Sequence, residues 1–454
     1  MQTNPRHLAV KILCRRQESG LPVDQVMEQI LSGSPCSPQD RQLLMAIVFG
    51  VLRHQRYLDF LLAGVSRHPL TKMKNMTLQA LRVGLYQLVF MDRIPPSAAV
   101  NETIEALRSA RQPKWLTGFV NGLLRTLARR DDLSANPWER VEIPPAVSLS
   151  HPDWLFDRWQ ARYGLEKTSE ICLHNNSRPA LCLCINTRLI SRQEYLDLAS
   201  REKLSARPGE YSPDAVLLDD FTGPVSGLPG YAQGFFTVQD EGAQLIVRMI
   251  DPFPPGKYLD ACAGLGGKTI QLAHMAPMGS LITAVEPNIQ RFGLLRENIA
   301  RLGLGSIVTC HNSCLEDFAA SAEHRFDGVL VDAPCSGLGV IRRQPDIRWN
   351  RTVNDLLRYQ GEQRALLHTA ADLVTPGGIL VYATCSTEPE ENEDVAAAFP
   401  QKHADFSPAK AEELAECLKN HINEQGFLQL LPQEGHDGFF AVRFDKKQVR
   451  NRDI

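Results

Sequence analysis

Two apolar runs of the chain end in a cysteine. In VLVDAPCSGLG, Asp332, Pro334 and Cys335 stand just past one such run, and in LVYATCST Cys385 holds the same place fifty residues later. If both runs are strands of one parallel sheet, both thiols lie at its carboxyl edge, where open α/β sheets bind their ligands. A third run, Tyr258–Cys262, ends in Ala263-Gly264-Leu265-Gly266-Gly267 and passes into a helix beginning near Lys268 and Thr269. Glycines there let the backbone approach a ligand closely. Nineteen residues beyond Gly267, Glu286 closes a further run, placed to accept hydrogen bonds from the two hydroxyls of a ribose. A dinucleotide would set its pyrophosphate on the helix N-terminus, but Asp260, just before the turn, would put negative charge beside it. A carboxylate there suits a cationic or zwitterionic group, such as the amino acid part of S-adenosylmethionine. GLGGKT lacks the GxxxxGK spacing of a triphosphate loop.

Buried cysteines are ordinary core residues, so either thiol alone says little. Two at one cofactor crevice, with a carboxylate three residues before Cys335, suit methylation of carbon 5 of a pyrimidine. That carbon is a poor nucleophile. A thiolate adding to carbon 6 makes an enamine-like ring whose carbon 5 can attack a methyl sulfonium, and a base must then take the carbon 5 proton so that the thiolate leaves. Cytosine also needs support at N3 for the developing negative charge; a protonated Asp332 would supply it by hydrogen bonding. Reaching carbon 6 requires the base to be out of its stack.

Elements must bring these groups together. The chain has 454 residues, 43% hydrophobic and 22% charged, which predicts about three soluble globular domains and excludes a wholly disordered chain. The net charge of -3 hides an asymmetry: residues 1–140 carry 19 Lys and Arg against 11 Asp and Glu, and the remainder is acidic. A basic front on an acidic body suits docking on nucleic acid. Eleven cysteines, an odd number without a CxxC pair, read as thiols in a reducing compartment. No stretch reaches the roughly 18 apolar residues of a spanning helix, and MQTNPRHLAVKIL lacks the pattern of a secretory leader; a cytoplasmic protein is expected.

Residues 5–130 read as helices. Leu43, Leu44, Ile47, Val48, Val51 and Leu52 recur at spacings of three and four, as do Leu78, Leu81, Leu85 and Leu88. The polar, proline-marked stretch 131–154 reads as a linker. Beyond it a mixed region holds a strand at 181–186 and a helix preceded by Ser191. Cys182 and Cys184 share one face of that strand without the further ligands of a zinc site, and His311 between Cys310 and Cys314 likewise lacks a fourth ligand, so no metal is expected. From Lys257 apolar strands alternate with helices of 10–20 residues, the pattern of a doubly wound parallel sheet.

The segments DACAGLGGKT, VDAPCSGLGVIRRQPDIRW, LVYATCSTEPEENE and DGFF resemble the RNA cytosine-5 methyltransferases of the Nol1/Nop2/Sun group, in the bacterial branch that acts on 16S ribosomal RNA. The front, through DRQLLMAIVFGVLR, IPPSAAVNETIE and GFVNGLLR, is similar to the antitermination factor NusB. The match covers nearly the whole chain. It implies three domains: an all-helical NusB-like RNA-binding bundle at 1–140, a small α+β domain at 141–240, and a Rossmann-like, S-adenosylmethionine-dependent α/β methyltransferase domain at 241–447. It makes Cys385 the nucleophile and Cys335 the thiol that assists release, with Asp332 supporting the ring. Asp260, Ala261, Cys262, Ala263, Gly264, Leu265, Gly266, Gly267 and Lys268 would hold the cofactor together with Glu286, Asn312 and Asp332. Pro389, Glu390, Glu391 and Asn392 would form a positioning loop. Arg342, Arg343 and Arg348 are the expected phosphate contacts, and Trp349 is a candidate for stacking on a base. The tail Lys446, Lys447, Arg450 and Arg452 reads as solvated. The chain departs from the group twice, with Gly264-Leu265 in place of Ala-Pro and Asn312 in place of an Asp near the adenine. The expected partner is 16S ribosomal RNA not yet folded into the finished particle, with the protein acting as a monomer. Two other readings stay open: the same chemistry on transfer RNA or another ribosomal position, and a non-catalytic RNA-binding protein.

Overall fold

Two of the front helices start where the sequence supplies a side-chain acceptor for their first backbone donors. Pro38 opens Pro38–Ala63 with Ser37 accepting from Asp40 N at 3.1 Å, and Asn4 caps Pro5–Ser19 in the same way. With Val23–Leu31, Asn75–Phe90, Pro96–Ser109 and Lys114–Leu127 they bury Leu44, Ile47, Val48, Val51, Leu52, Leu81 and Leu85 in one core. Gly50 marks the closest approach in this bundle, because a Cβ there would meet the Tyr86 ring at 1.9 Å.

The computed structural model describes residues 4–33, 36–130, 133, 135–140, 142–250, 254–433 and 435–448; Arg450 and Arg452 of the expected solvated tail lie outside them. The chain divides into two compact units, Met1–Arg178 with Ile341–Arg351, and Pro179–Val340 with Thr352–Ile454. The first unit therefore extends past the helical front through Pro145–Ser148 and the long helix Asp153–Asn176. Hydrogen bonds explain the extension: Arg56 holds Ser150 Oγ, His151 O and Asp153 Oδ1 at 3.0, 2.5 and 2.6 Å. The stretch read as a linker is thus largely packed against the bundle.

The strap 341–351 completes this unit. Arg16 Nη2 donates to Asp346 O at 2.8 Å, and Val23 N to Asp346 Oδ2 at 3.1 Å. Arg348, expected to touch phosphate, is instead wholly buried, donating to Ser150 O, Asn175 O and Asn176 Oδ1 at 3.1, 3.1 and 2.7 Å. Trp349, a candidate base-stacking residue, packs on the helical core and donates from Nε1 to Leu52 O at 2.8 Å. Both corrections have one cause: this unit's carbonyls need donors, and the strap supplies them. Arg342 and Arg343 are half-buried; Arg342 donates to Arg178 O at 2.9 Å, and its own carbonyl accepts from Arg53. An Arg348→Ala substitution strands two buried carbonyls and the half-buried Asn176 Oδ1 and should cost about 3 kcal/mol. Thermal unfolding should show the loss, while the RNA affinity of the folded fraction stays unchanged; a weakened affinity with unchanged stability would restore the phosphate contact.

The second unit contains two sheets. Leu181–Ile185 (β1), Ala206–Pro208 (β2), Ala215–Leu218 (β3) and Phe236–Val238 (β4) pair antiparallel in the order β2-β3-β1-β4. The helix Arg192–Arg201 of this part opens on a capping box of Ser191 and Glu194. Cys182 and Cys184 are buried on β1. Among the described residues, no group of three or more His, Cys, Asp and Glu side chains is arranged to hold a metal ion, and no helix is long and apolar enough to cross a membrane.

Lys257–Asp260 (β5), Leu281–Val285 (β6), Val308–His311 (β7), Phe326–Asp332 (β8), Val374–Thr384 (β9), Phe406–Pro408 (β10), Phe427–Leu430 (β11) and Phe439–Lys446 (β12) form the larger sheet, in the order β10-β12-β9-β8-β5-β6-β7, with β11 beside β12. β5 to β9 run parallel and β12 is antiparallel to β9. Alternate residues feed two cores: Leu330, Val381 and Ala383 on one face, Val329, Val331, Leu380 and Tyr382 on the other. Both faces are buried, which is why these strands read as unbroken apolar runs. The chain leaves β5 toward β6 and β7, then returns to β8 on its other side. That reversal opens a crevice at the carboxyl ends of β5 and β8.

Candidate active site

The crevice is a cavity of about 180 Å³ lined by Asp260, Cys262, Ala263, Gly264, Leu265, Gly267, Lys268 and Asp332, with Gln239. Ala261 is buried at the end of β5. Gly264 and Gly266 take φ of +56° and +92°, and a Cβ on Gly266 would meet Leu295 at 2.6 Å. The turn thus needs glycine at both positions. Gly266 caps the helix Gly267–Met275, whose first backbone N–H groups are left for a ligand.

Behind the turn, Glu286 is nearly buried; its Oε2 accepts from Gly264 N at 2.9 Å and its Oε1 from Asn288 N at 2.7 Å. Each oxygen keeps a further lone pair for a ribose hydroxyl. The first of these bonds anchors the Gly264-Leu265 corner that replaces the stiffer Ala-Pro. Asn312 donates from Nδ2 to Glu286 O and Pro287 O at 2.8 and 3.1 Å, which turns its amide oxygen toward use as an acceptor. Asp260 is buried, with Oδ2 accepting from Thr269 Oγ1 at 2.7 Å; burial pushes its carboxyl up to about 6 in spite of that bond.

Two pairs of groups follow the carboxyl ends of β5, β8 and β9. Cys335 Sγ and Cys385 Sγ are 3.1 Å apart, and Lys268 Nζ donates to Asp332 Oδ2 at 2.6 Å. Burial pulls the Lys268 ammonium down, but Asp332, through its charge and its hydrogen bond, and then Cys385 outweigh it, so the net shift is upward. Cys335 is held well above the ordinary thiol value, first by its hydrogen bond with Cys385 and then by burial. The two thiol loops are locked together: Ala333 N donates to Ala383 O and Gly339 N to Cys385 O, both at 2.9 Å. Gly438 of the DGFF segment donates to Gly339 O at 2.7 Å, so close that a Cβ on Gly339 would meet Gly438 O at 2.1 Å.

This arrangement has known relatives. Residues 247–445 match the model of the 16S rRNA methyltransferase RsmB/F family, residues 3–129 the NusB family, and residues 151–225 the ferredoxin-like domain of RsmF/B-like methyltransferases. The probable ribosomal RNA small subunit methyltransferase B of Bacillus subtilis is 33% identical, over 98% of this chain and 99% of that protein. The chain belongs to the RsmB/F methyltransferase family. The ribosomal RNA small subunit methyltransferase B of Escherichia coli is 35% identical over 98% of this chain and 99% of that one. The solved structure of PH0851 shares the fold, with a TM-score of 0.79 and 21% identity over 98% of this chain and 100% of that one.

Sequence spacing alone missed three features of this RsmB/F chain. Gln239 lines the crevice from just before the helix Glu241–Arg248 and donates to Gln271 at 2.8 Å; no motif signals it. Lys268 is expected near the cofactor or the target, but its pairing with Asp332, sixty-four residues on, is visible only in three dimensions. That pairing sets an ammonium beside Asp332, a hydrogen-bond donor that local spacing does not show. Glu391 of the expected positioning loop turns out to be wholly buried.

Proposed function

We propose that this protein methylates carbon 5 of a cytosine in 16S ribosomal RNA, taking the methyl group from S-adenosylmethionine. The observation that carries the reading is the thiol pair, 3.1 Å apart just past the ends of β8 and β9, on the sheet whose edge also carries the Lys268–Asp332 pair. Names of the relatives over the full chain support the substrate, and the basic front supports affinity for RNA.

Asp260 and the N-terminus of Gly267–Met275 fit the zwitterionic methionine part of the cofactor, Glu286 fits the ribose, and Asn312 fits the adenine amino group. When bound, the cofactor supplies an electrophilic methyl carbon. Cys385 attacks carbon 6 of the flipped base as a thiolate, forming an S–C bond while electrons move toward N3 and carbon 5. Lys268 and Asp332 hold the proton that N3 takes up. Carbon 5 accepts the methyl group, then gives its proton to solvent water acting as base; the C5=C6 bond re-forms, Cys385 leaves as a thiolate, and N3 returns its proton to the pair. Cys335 takes the assisting role that the resemblance implies: its thiol, 3.1 Å from Cys385, can hydrogen-bond the departing sulfur.

The test is transfer of labelled methyl groups to bare small-subunit RNA, followed by digestion to nucleosides. Label in 5-methylcytidine is expected; label on an exocyclic nitrogen or a ribose oxygen, or on transfer RNA alone, overturns the reading. The raised Asp260 carboxyl adds a pH signature. Its negative charge favours the cationic cofactor and is lost as pH falls through about 6, so the Kd for S-adenosylmethionine should rise about tenfold between pH 7 and pH 5. Calorimetry across that range should show the rise, and Asp260→Asn should flatten it.

A further inference from the structure

We infer that Glu391 is a positioning residue that sets the spacing of the two thiols, by holding the residue after each of them. Ser336 follows Cys335 and Ser386 follows Cys385 in the chain. Glu391 Oε1 accepts from Ser336 N at 2.7 Å and from Gln363 Nε2 at 3.1 Å. Its Oε2 accepts from Ser336 Oγ and Ser386 Oγ, each at 2.5 Å, and the two hydroxyls are themselves 3.2 Å apart. One carboxylate therefore joins two loops that are fifty residues apart in sequence.

The clamp is itself held on three sides. Gln363, on the helix Val353–Asp372, also donates to Pro334 O at 3.0 Å, and Tyr382 on β9 donates to Glu391 O at 2.5 Å. Asn392, the next residue, accepts from Thr384 Oγ1 at 2.6 Å and donates to Ser386 O at 3.0 Å. Glu391, Ser336, Ser386, Gln363 and Asn392 are all 1% exposed or less. A nucleic acid base has no access to them, so the group acts through the cysteines. A buried carboxylate is costly to keep unless its lone pairs are filled. Here burial pushes the Glu391 carboxyl up, and Ser336, Ser386 and Gln363 pull it back. An apolar residue would fill the same space without that cost, and it would leave the two serines free to turn.

This inference rests on the proposed roles of Cys335 and Cys385 only for its effect on turnover. The spacing itself is read independently, by treating the full chain with diamide and following the Cys335–Cys385 disulfide by peptide mass spectrometry. The azo group takes up both thiol hydrogens and two electrons as the S–S bond forms. Glu391→Ala should slow that cross-link about tenfold and lower kcat about 100-fold, with the Kd for S-adenosylhomocysteine and the KM for RNA within about twofold of wild type. Glu391→Gln keeps the shape, and its amide can donate to the two serine hydroxyls, so it should restore both rates to within about threefold. Wild-type cross-linking in Glu391→Ala, or slower turnover without slower cross-linking, overturns the clamp. Should Glu391→Ala fail to fold, Ser386→Ala, which removes one arm of the clamp, decides in the same way: unchanged cross-linking overturns it. If the wild-type protein transfers no methyl group to cytosine, the cross-linking arm still decides the role of Glu391, and only the proposed function falls.

Discussion

The Cys335→Ser protein, mixed with small-subunit RNA and S-adenosylmethionine, should accumulate as a protein–RNA species that survives denaturing electrophoresis and disappears on nuclease digestion. Cys385 remains to attack carbon 6, while the step that breaks the S–C bond loses its helper and slows by roughly 100-fold or more. Cys385→Ala should show no such species and should lose turnover by roughly 1000-fold or more, because no covalent route is left. The double substitution should behave as Cys385→Ala does. The two thiols are 3.1 Å apart, and the proposed order gives attack to Cys385 and release to Cys335. An adduct with Cys385→Ala and none with Cys335→Ser would reverse their order. If Cys335 only packs, its Ser variant would be somewhat less stable and free of adduct.

Separating Lys268 from Asp332 should have the next largest effect. Asp332→Asn keeps the shape and can still offer N–H to N3, but it no longer orients the ammonium; kcat should fall about 100-fold. Lys268→Met removes the donor that stands 2.6 Å from Asp332 and leaves a carboxylate facing the electron-rich ring, so a fall of about 1000-fold is expected. The sign of the pH dependence follows from the raised Lys268 value. A lysine whose folded value lies above its unfolded one stabilises the fold fully below the unfolded value and loses that contribution only as pH rises through the folded value. Between pH 6 and 8 the pair is therefore intact, and both ratios to wild type should be constant. Single-turnover rates across that window check this; a deficit that closes with pH would assign the proton to another group.

Much of this site could be read along the chain because it is built from strand ends. An apolar run followed by a small or polar residue places that residue at a sheet edge, which located Cys335, Cys385, Asp332 and Glu286; the glycines at 264 and 266 revealed the turn. Helical periodicity also marked the faces that pack the front bundle. Two kinds of fact were not legible. Partners across the chain were one kind: Lys268 with Asp332, and Glu391 with Ser336 and Ser386, leave no trace in local spacing. The other was the fate of charge. Arg348, Arg342 and Arg343 look alike in RRQPDIRW, yet Arg348 is buried on the carbonyls of Ser150 and Asn175 while the other two are half-buried. An arginine that satisfies buried carbonyls and one that meets phosphate have the same sequence signature. The strap also defeats a division by sequence alone, since a fragment beginning near residue 150 would strip Trp349 of Leu52 and the core it packs on.

The chemistry at carbon 5 can be measured directly on small-subunit RNA whose cytidines carry tritium at that carbon. Methylation there must release the carbon 5 hydrogen to water, whichever base accepts it. With S-adenosylmethionine and the wild-type protein, one tritium should appear in water for each methyl group transferred, and Cys385→Ala should release none. Methyl transfer that leaves the tritium on the RNA would contradict the account.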